Sequence, residues 1–153
     1  MYRIGILSDT HGLLRPSVLA FLQGCDHIVH GGDVGKIEIL ETLRAIAPVT
    51  AVRGNNDTGS WASALPEIQR VTLAGTQLYV LHDLALLSID PSAEGIAVVV
   101  SGHSHRPAEV QRDGVLYFNP GSCGRRRFRL PIAVGELNVT EGQIVSRIVE
   151  LPD

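Results

Sequence analysis

A chain of 153 residues, 44% hydrophobic and 19% charged, has the composition of one globular domain, here residues 1–153, with a sizeable core. Its net charge of −3 and pI of about 6.0 exclude a general attraction to polyanions, so nucleic acid is not an expected partner. No apolar run approaches the ~20 residues of a membrane helix, and Arg3 comes too early for a secretory leader, so a soluble, cytoplasmic protein is expected.

Tyr2 to Leu7 is a short Ile- and Leu-rich run giving way to Ser8-Asp9-Thr10-His11-Gly12, which predicts a buried strand ending in a polar loop. Pro16 suits the first turn of a helix with Val18, Leu19 and Leu22 on its apolar face and Gly24 as its stop. Asp26 to His30 is a second strand, followed by Gly31-Gly32-Asp33. Ile37, Leu40, Leu43 and Ile46 predict a second helix that ends before Pro48. Val49 to Val52 is a third strand, followed by Arg53-Gly54-Asn55-Asn56-Asp57. This alternation is that of a βαβαβ unit, with parallel strands under covering helices.

Beyond Trp61 the pattern turns to β. Ile68–Leu73 and Gln77–Leu81 predict a hairpin around Ala74-Gly75-Thr76. Ala97 to Val100 is a continuous apolar strand leading into Ser101-Gly102-His103-Ser104-His105. Asp113-Gly114 predicts a hairpin between Val110 and Val115–Phe118, and Thr140-Glu141-Gly142 another between Ile132–Val139 and Ile144–Leu151. The expected fold is α/β, with two packed sheets and outer helices. Cys25 and Cys123, far apart and outside any metal motif, read as free thiols.

The chemistry gathers where strands end. Asp9 with His11, Asp33, Asn55, His82, and His103 with His105 all follow predicted strands, the edge where open α/β sheets bind ligands. Steps of 24, 22, 27 and 21 residues separate Asp9, Asp33, Asn55, His82 and His103, each about the length needed to leave that edge and return. Any one fragment reads as an ordinary turn; the set reads as a metal site. In extended backbone, residues two apart share a side, which would align His103 with His105 and Asp9 with His11. Carboxylates, imidazoles and one amide without thiolate suit Mn, Fe or Zn, and so many histidines disfavour a dedicated Ca site. One metal would leave several of the seven idle, whereas two sharing a bridging carboxylate, roughly 3.5–4 Å apart, use them all.

Asp-x-His, Gly-Asp, Gly-Asn-x-Asp, a strand-end His and Gly-His-x-His, in that order, resemble the calcineurin-like metallophosphoesterases. The short length, the spacing and Phe118-Asn119-Pro120-Gly121-Ser122 are similar to the YfcE-like phosphodiesterases within that superfamily. The resemblance implies a four-layer α/β/β/α sandwich of two mixed sheets flanked by helices. It implies that Asp9, His11 and His105 hold one metal, that Asn55, His82 and His103 hold a second, and that Asp33 bridges them. Two divalent ions, Mn first and Fe, Zn or Ni as alternatives, would hydrolyse a small phosphodiester by in-line attack of a metal-bound hydroxide. A phosphomonoesterase and a non-catalytic protein-interaction scaffold of the same fold, as in retromer, are the alternatives. Self-association into a homo-oligomer is left open.

Two positions depart from the superfamily pattern. Asn56 stands where many members have a histidine that assists the leaving group; an amide cannot act as a general acid but can hydrogen-bond the phosphate. Asp83 stands where Gly is frequent, and reads as a turn residue supporting its neighbour rather than as a ligand. Arg106, beside His105, is the expected substrate contact, so Asp33, Asn56 and Arg106 are the catalytic candidates. Arg125-Arg126-Arg127 with Arg129 reads as a solvated loop, or else as a phosphate or subunit contact. His30 is expected to support neighbouring ligands through hydrogen bonds, His27 to be structural or exposed, and Asp57 to orient the Asn55 loop, while Cys123 has no identifiable partner that would make it a nucleophile.

Overall fold

The computed structural model describes residues 1–152. Two mixed five-stranded sheets face one another. The first contains β1 (Tyr2–Leu7), β2 (His27–His30), β3 (Val49–Ala51), β9 (Ala133–Thr140) and β10 (Gln143–Glu150), in the order β10-β9-β1-β2-β3. The second contains β4 (Ile68–Leu73), β5 (Thr76–Leu81), β6 (Val98–Val100), β7 (Ala108–Arg112) and β8 (Val115–Asn119), in the order β4-β5-β6-β8-β7. Within the first sheet β1, β2 and β3 are parallel, and within the second β5, β6 and β8 are parallel. The loops after these strands therefore leave each sheet along a common edge.

Period-two alternation sorts the apolar residues into layers. Ile4 and Ile6 of β1, Val29 of β2, and Leu137 and Val139 of β9 meet Leu78, Val80, Val98, Val100, Leu116 and Phe118 in the core between the sheets. The intervening residues of the first sheet, Leu7, Ile28, Ala51 and Val134, instead pack beneath α1 (Pro16–Leu22) and α2 (Ile37–Arg44). Helix α1 approaches closely because β1 carries Gly5 beneath it: a Cβ there would lie 2.8 Å from Cys25 Sγ. On the far side of the second sheet, Tyr79, Leu81, Val99 and Val115 are covered by Leu87, Ile89 and Ile96. That covering segment has only one helical turn, the 3-10 turn Leu84–Leu86, so the α-helices lie on one face of the sandwich.

Both cysteines are buried free thiols, and α2 stops two residues before Ile46, which turns back to pack on the helical layer. All three expected hairpins form around Ala74-Gly75, Asp113-Gly114 and Glu141-Gly142. In each, both turn residues have positive φ, the geometry that matches strand twist. No helix among the described residues is long and apolar enough to cross a membrane.

Gly135 in β9 faces the ring of Phe118 across the inter-sheet core, where any Cβ would penetrate the ring. Gly135→Ala should lower stability by about 1–3 kcal/mol through overpacking, read as a lower urea midpoint at unchanged m-value.

Candidate metal centre

Ladder hydrogen bonds continue past the strand ends and fix the loops. Asp9 N–H donates to Gly32 O (3.0 Å), His11 N–H to Asp33 O (2.9 Å), and Gly102 N–H to His82 O (2.9 Å). The two sheets are joined at this edge by His82 Nδ1, 2.7 Å from Gly31 O, and by His103 N–H donating to Asp9 Oδ2 (3.1 Å). Glycines permit the approach: a Cβ on Gly102 would lie 2.6 Å from Asp9 Oδ2, and one on Gly54 would overlap Asp33.

The loops bring the predicted donors together. Asp9, His11 and His105 form one group with donor atoms within 4.8 Å of one another, and Asp9, Asp33 and His82 form a second. His105 Nε2 lies 3.3 Å from Asp9 Oδ1. Asp33 Oδ2 lies 3.6 Å from His11 Nε2 and 3.2 Å from His82 Nε2, so it approaches a histidine of each group, while Asp9 belongs to both groups. Asn55 Oδ1 is 3.2 Å from His103 Nδ1, and the His103 ring stacks edge-on against His82 with centroids 5.2 Å apart. Asp9, Asp33, His82 and His105 are buried, His11 is half-buried, and Asn55 and His103 form the exposed mouth.

The alignment of Asp9 with His11 and of His103 with His105 does not come from extended backbone. All four residues, and Asp33, lie in the left-handed region, with φ of 56°, 46°, 70°, 62° and 57° respectively. Non-glycine residues adopt this conformation at a cost of about 1–2 kcal/mol each, which the surrounding hydrogen bonds must offset.

Unpartnered atoms point inward. Asp9 Oδ1, His11 Nε2 and His82 Nε2 are buried without a hydrogen bond, a costly state for polar atoms. Because the Gly31 carbonyl only accepts, His82 Nδ1 carries the proton, and neutral His82 offers its Nε2 lone pair to the centre. These residues fit a divalent cation: hard carboxylate oxygens and imidazole nitrogens converge where no protein partner satisfies them.

The pKa shifts have the same origin. Burial opposes ionisation of Asp9, yet its interactions with His105, His11 and Ser8 pull its carboxyl far below the usual carboxylate range. Asp33 is likewise held low, against burial, by His82 and the Asn56 N–H. His11 is raised chiefly by Asp9, and His82 is raised by Asp33 and Asp9 despite burial.

The supporting residues take distinct places. Asp57 accepts from Gly54 N–H (2.9 Å), Val34 N–H (3.1 Å) and Gly35 N–H (2.9 Å), clamping the Asn55 loop to the Asp33 loop as expected. Asn56 turns to Asp33: its N–H donates to Oδ1 (2.9 Å) and its amide to Oδ2 (3.3 Å). Asp83 accepts from Ala85 N–H (3.0 Å) as the cap of the 3-10 turn, with Oδ2 3.9 Å from His103 Nε2. Arg106 lies outside both donor groups, in a groove shared with His103 and Asp83. His27 is half-buried against Thr50 Oγ1.

His30 is fully buried, accepts from Gly32 N–H at Nδ1 (3.0 Å) and contacts Thr10 Oγ1 at Nε2 (3.0 Å), bracing two donor-bearing loops. Cys123 is buried, its thiol pushed up to about 12 by desolvation. Ser8 was not foreseen; it donates to Asp9 Oδ2 at 2.6 Å. Nor was Asn119, which donates to Gly102 O (3.0 Å) and Ser104 Oγ (3.1 Å). The polar residue immediately before Asp9 and the Asn-Pro-Gly-Ser run were the signals that could have found them.

A calcineurin-like phosphoesterase superfamily domain matches residues 2–142. A probable metallophosphoesterase of Methanocaldococcus jannaschii is 33% identical over 128 residues, covering 78% of this chain and 67% of that protein. Phosphodiesterase YfcE of Escherichia coli is 29% identical over 168 residues, covering 90% of this chain and 88% of its own. The crystal structure of Chaetomium thermophilum Vps29 superposes with a TM-score of 0.77 at 20% identity, covering 99% and 97% of the two chains, a likeness of fold.

The histidines should titrate apart in metal-free protein. His11 and His82 should hold their protons above the ordinary value of about 6.5, whereas His30 stays neutral down to about 4 because burial disfavours its charge. Stability from His11 and His82 is then complete below about 6.5 and fades as pH rises through their folded values, while that from His30 is lost as pH falls from about 6.5 toward 4. Imidazole NMR titration of single His→Gln variants assigns and checks each.

Proposed function

Because the chain belongs to the calcineurin-like phosphoesterase superfamily and is thereby a metal-dependent phosphoric ester hydrolase, we propose that it acts as a dinuclear phosphodiesterase on small phosphodiesters. The observation that carries this reading is the convergence of Asp9 Oδ1, His11 Nε2 and His82 Nε2, buried and without hydrogen bonds, around Asp33. Asp9, His11 and His105 would hold one cation and Asn55, His82 and His103 the other, with Asp33 shared between them. The donor chemistry suits Mn, and also Fe, Zn or Ni. When bound, such cations neutralise phosphoryl oxygens and acidify the attacking water.

The chain's own residues orient and restrain. Gly31 O fixes the His82 tautomer, Ser8 holds Asp9 Oδ2 away from the centre, and Asp57 locks the Asn55 and Asp33 loops in register. Asn56 positions Asp33 and supplies no proton to a leaving group, which favours diesters with good leaving groups over a broad monoesterase activity. Arg106, which lines a groove with His103, would meet a phosphoryl oxygen there. A purely scaffolding protein would have no need to keep two buried carboxylates facing inward imidazoles.

Mn-loaded protein should hydrolyse bis(p-nitrophenyl) phosphate, and a chelator should abolish this. Asp33→Ala should cut kcat/KM by more than about 100-fold, since loss of a ligand exceeds loss of its outer partners. Asn56→Ala, which removes one outer bond to Asp33, should cost no more than about 10–100-fold, less than the ~10²–10⁴ of a general acid. A wild-type protein with confirmed metal content that is inert on both diesters and monoesters would sink the reading.

A further inference from the structure

A pocket of about 280 Å³ opens directly onto the exposed side of the metal centre, with Asn55, His82 and His103 at its mouth. Leu81, the last residue of β5 and the neighbour of His82, lines it together with Ile68 and Leu86. Leu81 is buried, but Ile68 and Leu86 remain 44% and 73% exposed. Exposed apolar side chains are unremarkable singly; two lining one pocket beside a catalytic centre call for an apolar occupant. At the rim, Arg53 pairs with Glu67 at 2.7 Å, and Asp83 adds a further carboxylate.

We propose that this pocket is the subsite for one ester arm of the substrate, and that it selects an uncharged aromatic arm. The proposal rests on the phosphodiesterase reading for the identity of the phosphate that the arm carries. An apolar cavity of roughly 150 Å³ accepts a benzene ring, so this pocket takes one aryl ring or a group of nucleobase size, while a whole drug-sized ligand needs roughly 300–1,000 Å³. Charge argues against a second phosphate in the same place. The Arg53 guanidinium is already engaged by Glu67, and the pocket's charged lining of Arg53, Glu67 and Asp83 is net negative. A neutral ring gains contact with Leu81, Ile68 and Leu86, whereas a phosphoryl group would meet two carboxylates and apolar walls. Continuity with Asn55, His82 and His103 places the arm beside the phosphorus rather than at a remote surface.

The test compares phenyl phosphate with methyl phosphate on Zn-loaded protein, by calorimetry and by methyl NMR of Ile68, Leu81 and Leu86. Phenyl phosphate should bind at least about tenfold tighter, in keeping with ring burial of one to a few kcal/mol, and should shift those methyl signals; methyl phosphate should not. Leu86→Ser and Ile68→Ser, both at exposed positions and both neutral, should erase the difference while leaving methyl phosphate affinity unchanged. Equal affinity for the two phosphates, or phenyl phosphate binding that leaves these methyl signals unmoved, overturns the proposal. If phenyl phosphate seats in the pocket but no ester is hydrolysed, the phosphodiesterase reading fails and the subsite stands. If diesters are hydrolysed with no aromatic preference in binding, the subsite alone fails; if neither phosphate binds, both fail.

Discussion

The carboxylate of Asp9 is the point on which the rest of the centre depends. It is fully buried at the seam between the two sheets, with Oδ2 held by Ser8 Oγ–H and the His103 N–H and Oδ1 left facing three imidazoles. Removing a carboxylate from water costs several kcal/mol unless it is paired, so the fold that buries Asp9 must also bring positive charge to Oδ1. Histidines from both sheets do so: His11 follows β1, while His82 and His105 come from loops of the second sheet. Protons on these imidazoles and a divalent cation are alternative ways to meet the same demand, which couples metal affinity to pH.

Bringing side chains from five loops to one place requires backbone that is unfavourable locally. Asp9, His11, Asp33, His103 and His105 all take positive φ, and Gly54 and Gly102 are needed because Asp33 and Asp9 press against their α-carbons. Conformations of this cost persist only where neighbours over-determine them. Here the neighbours are hydrogen bonds between loops, from Asp9 N–H to Gly32 O, from His11 N–H to Asp33 O, and from three N–H groups to Asp57. Local strain and lacing between loops are two aspects of one arrangement that holds the candidate donors in place.

The same contrast decides what the sequence could reveal. Strands and hairpins were legible because a short apolar run ending in polar loop residues marks a strand with a core on each side, as in Tyr2–Leu7, and because Asp113-Gly114 marks a two-residue turn. The candidate donors were legible as a set because each follows a strand. Their conformation was not, since Asp and His at a strand end look alike whether extended or left-handed. The bonds from Asn56 to Asp33 were hidden for a related reason: residue type says that an amide can donate, but only the fold shows that Asp33 accepts from its backbone N–H and from its side-chain amide. The thin covering of the second sheet was equally hidden, because Leu87, Ile89 and Ile96 show no helical period yet still shield Tyr79 and Val99. A pocket built from Arg53, Glu67, Ile68 and Leu86 combines three separate stretches, and nothing in any one announces the others.

The division of labour between the sheets has a further consequence. The loops of the first sheet carry Asp9, His11, Asp33 and Asn55, and those of the second carry His82, His103 and His105, so neither sheet alone holds all the candidate donors. What sets the distance between the two sets is the layer of Ile4, Ile6, Val29, Leu78, Val80, Val100 and Phe118 packed between them. Interiors at crystal-like density transmit strain instead of absorbing it. A change of volume at Phe118 or Gly135 is therefore felt at the seam, where a shift of a few tenths of an ångström alters every contact to Asp9 Oδ1. The inter-sheet core is in this sense part of the candidate metal centre, and its packing sets the geometry of the candidate donors as well as the stability.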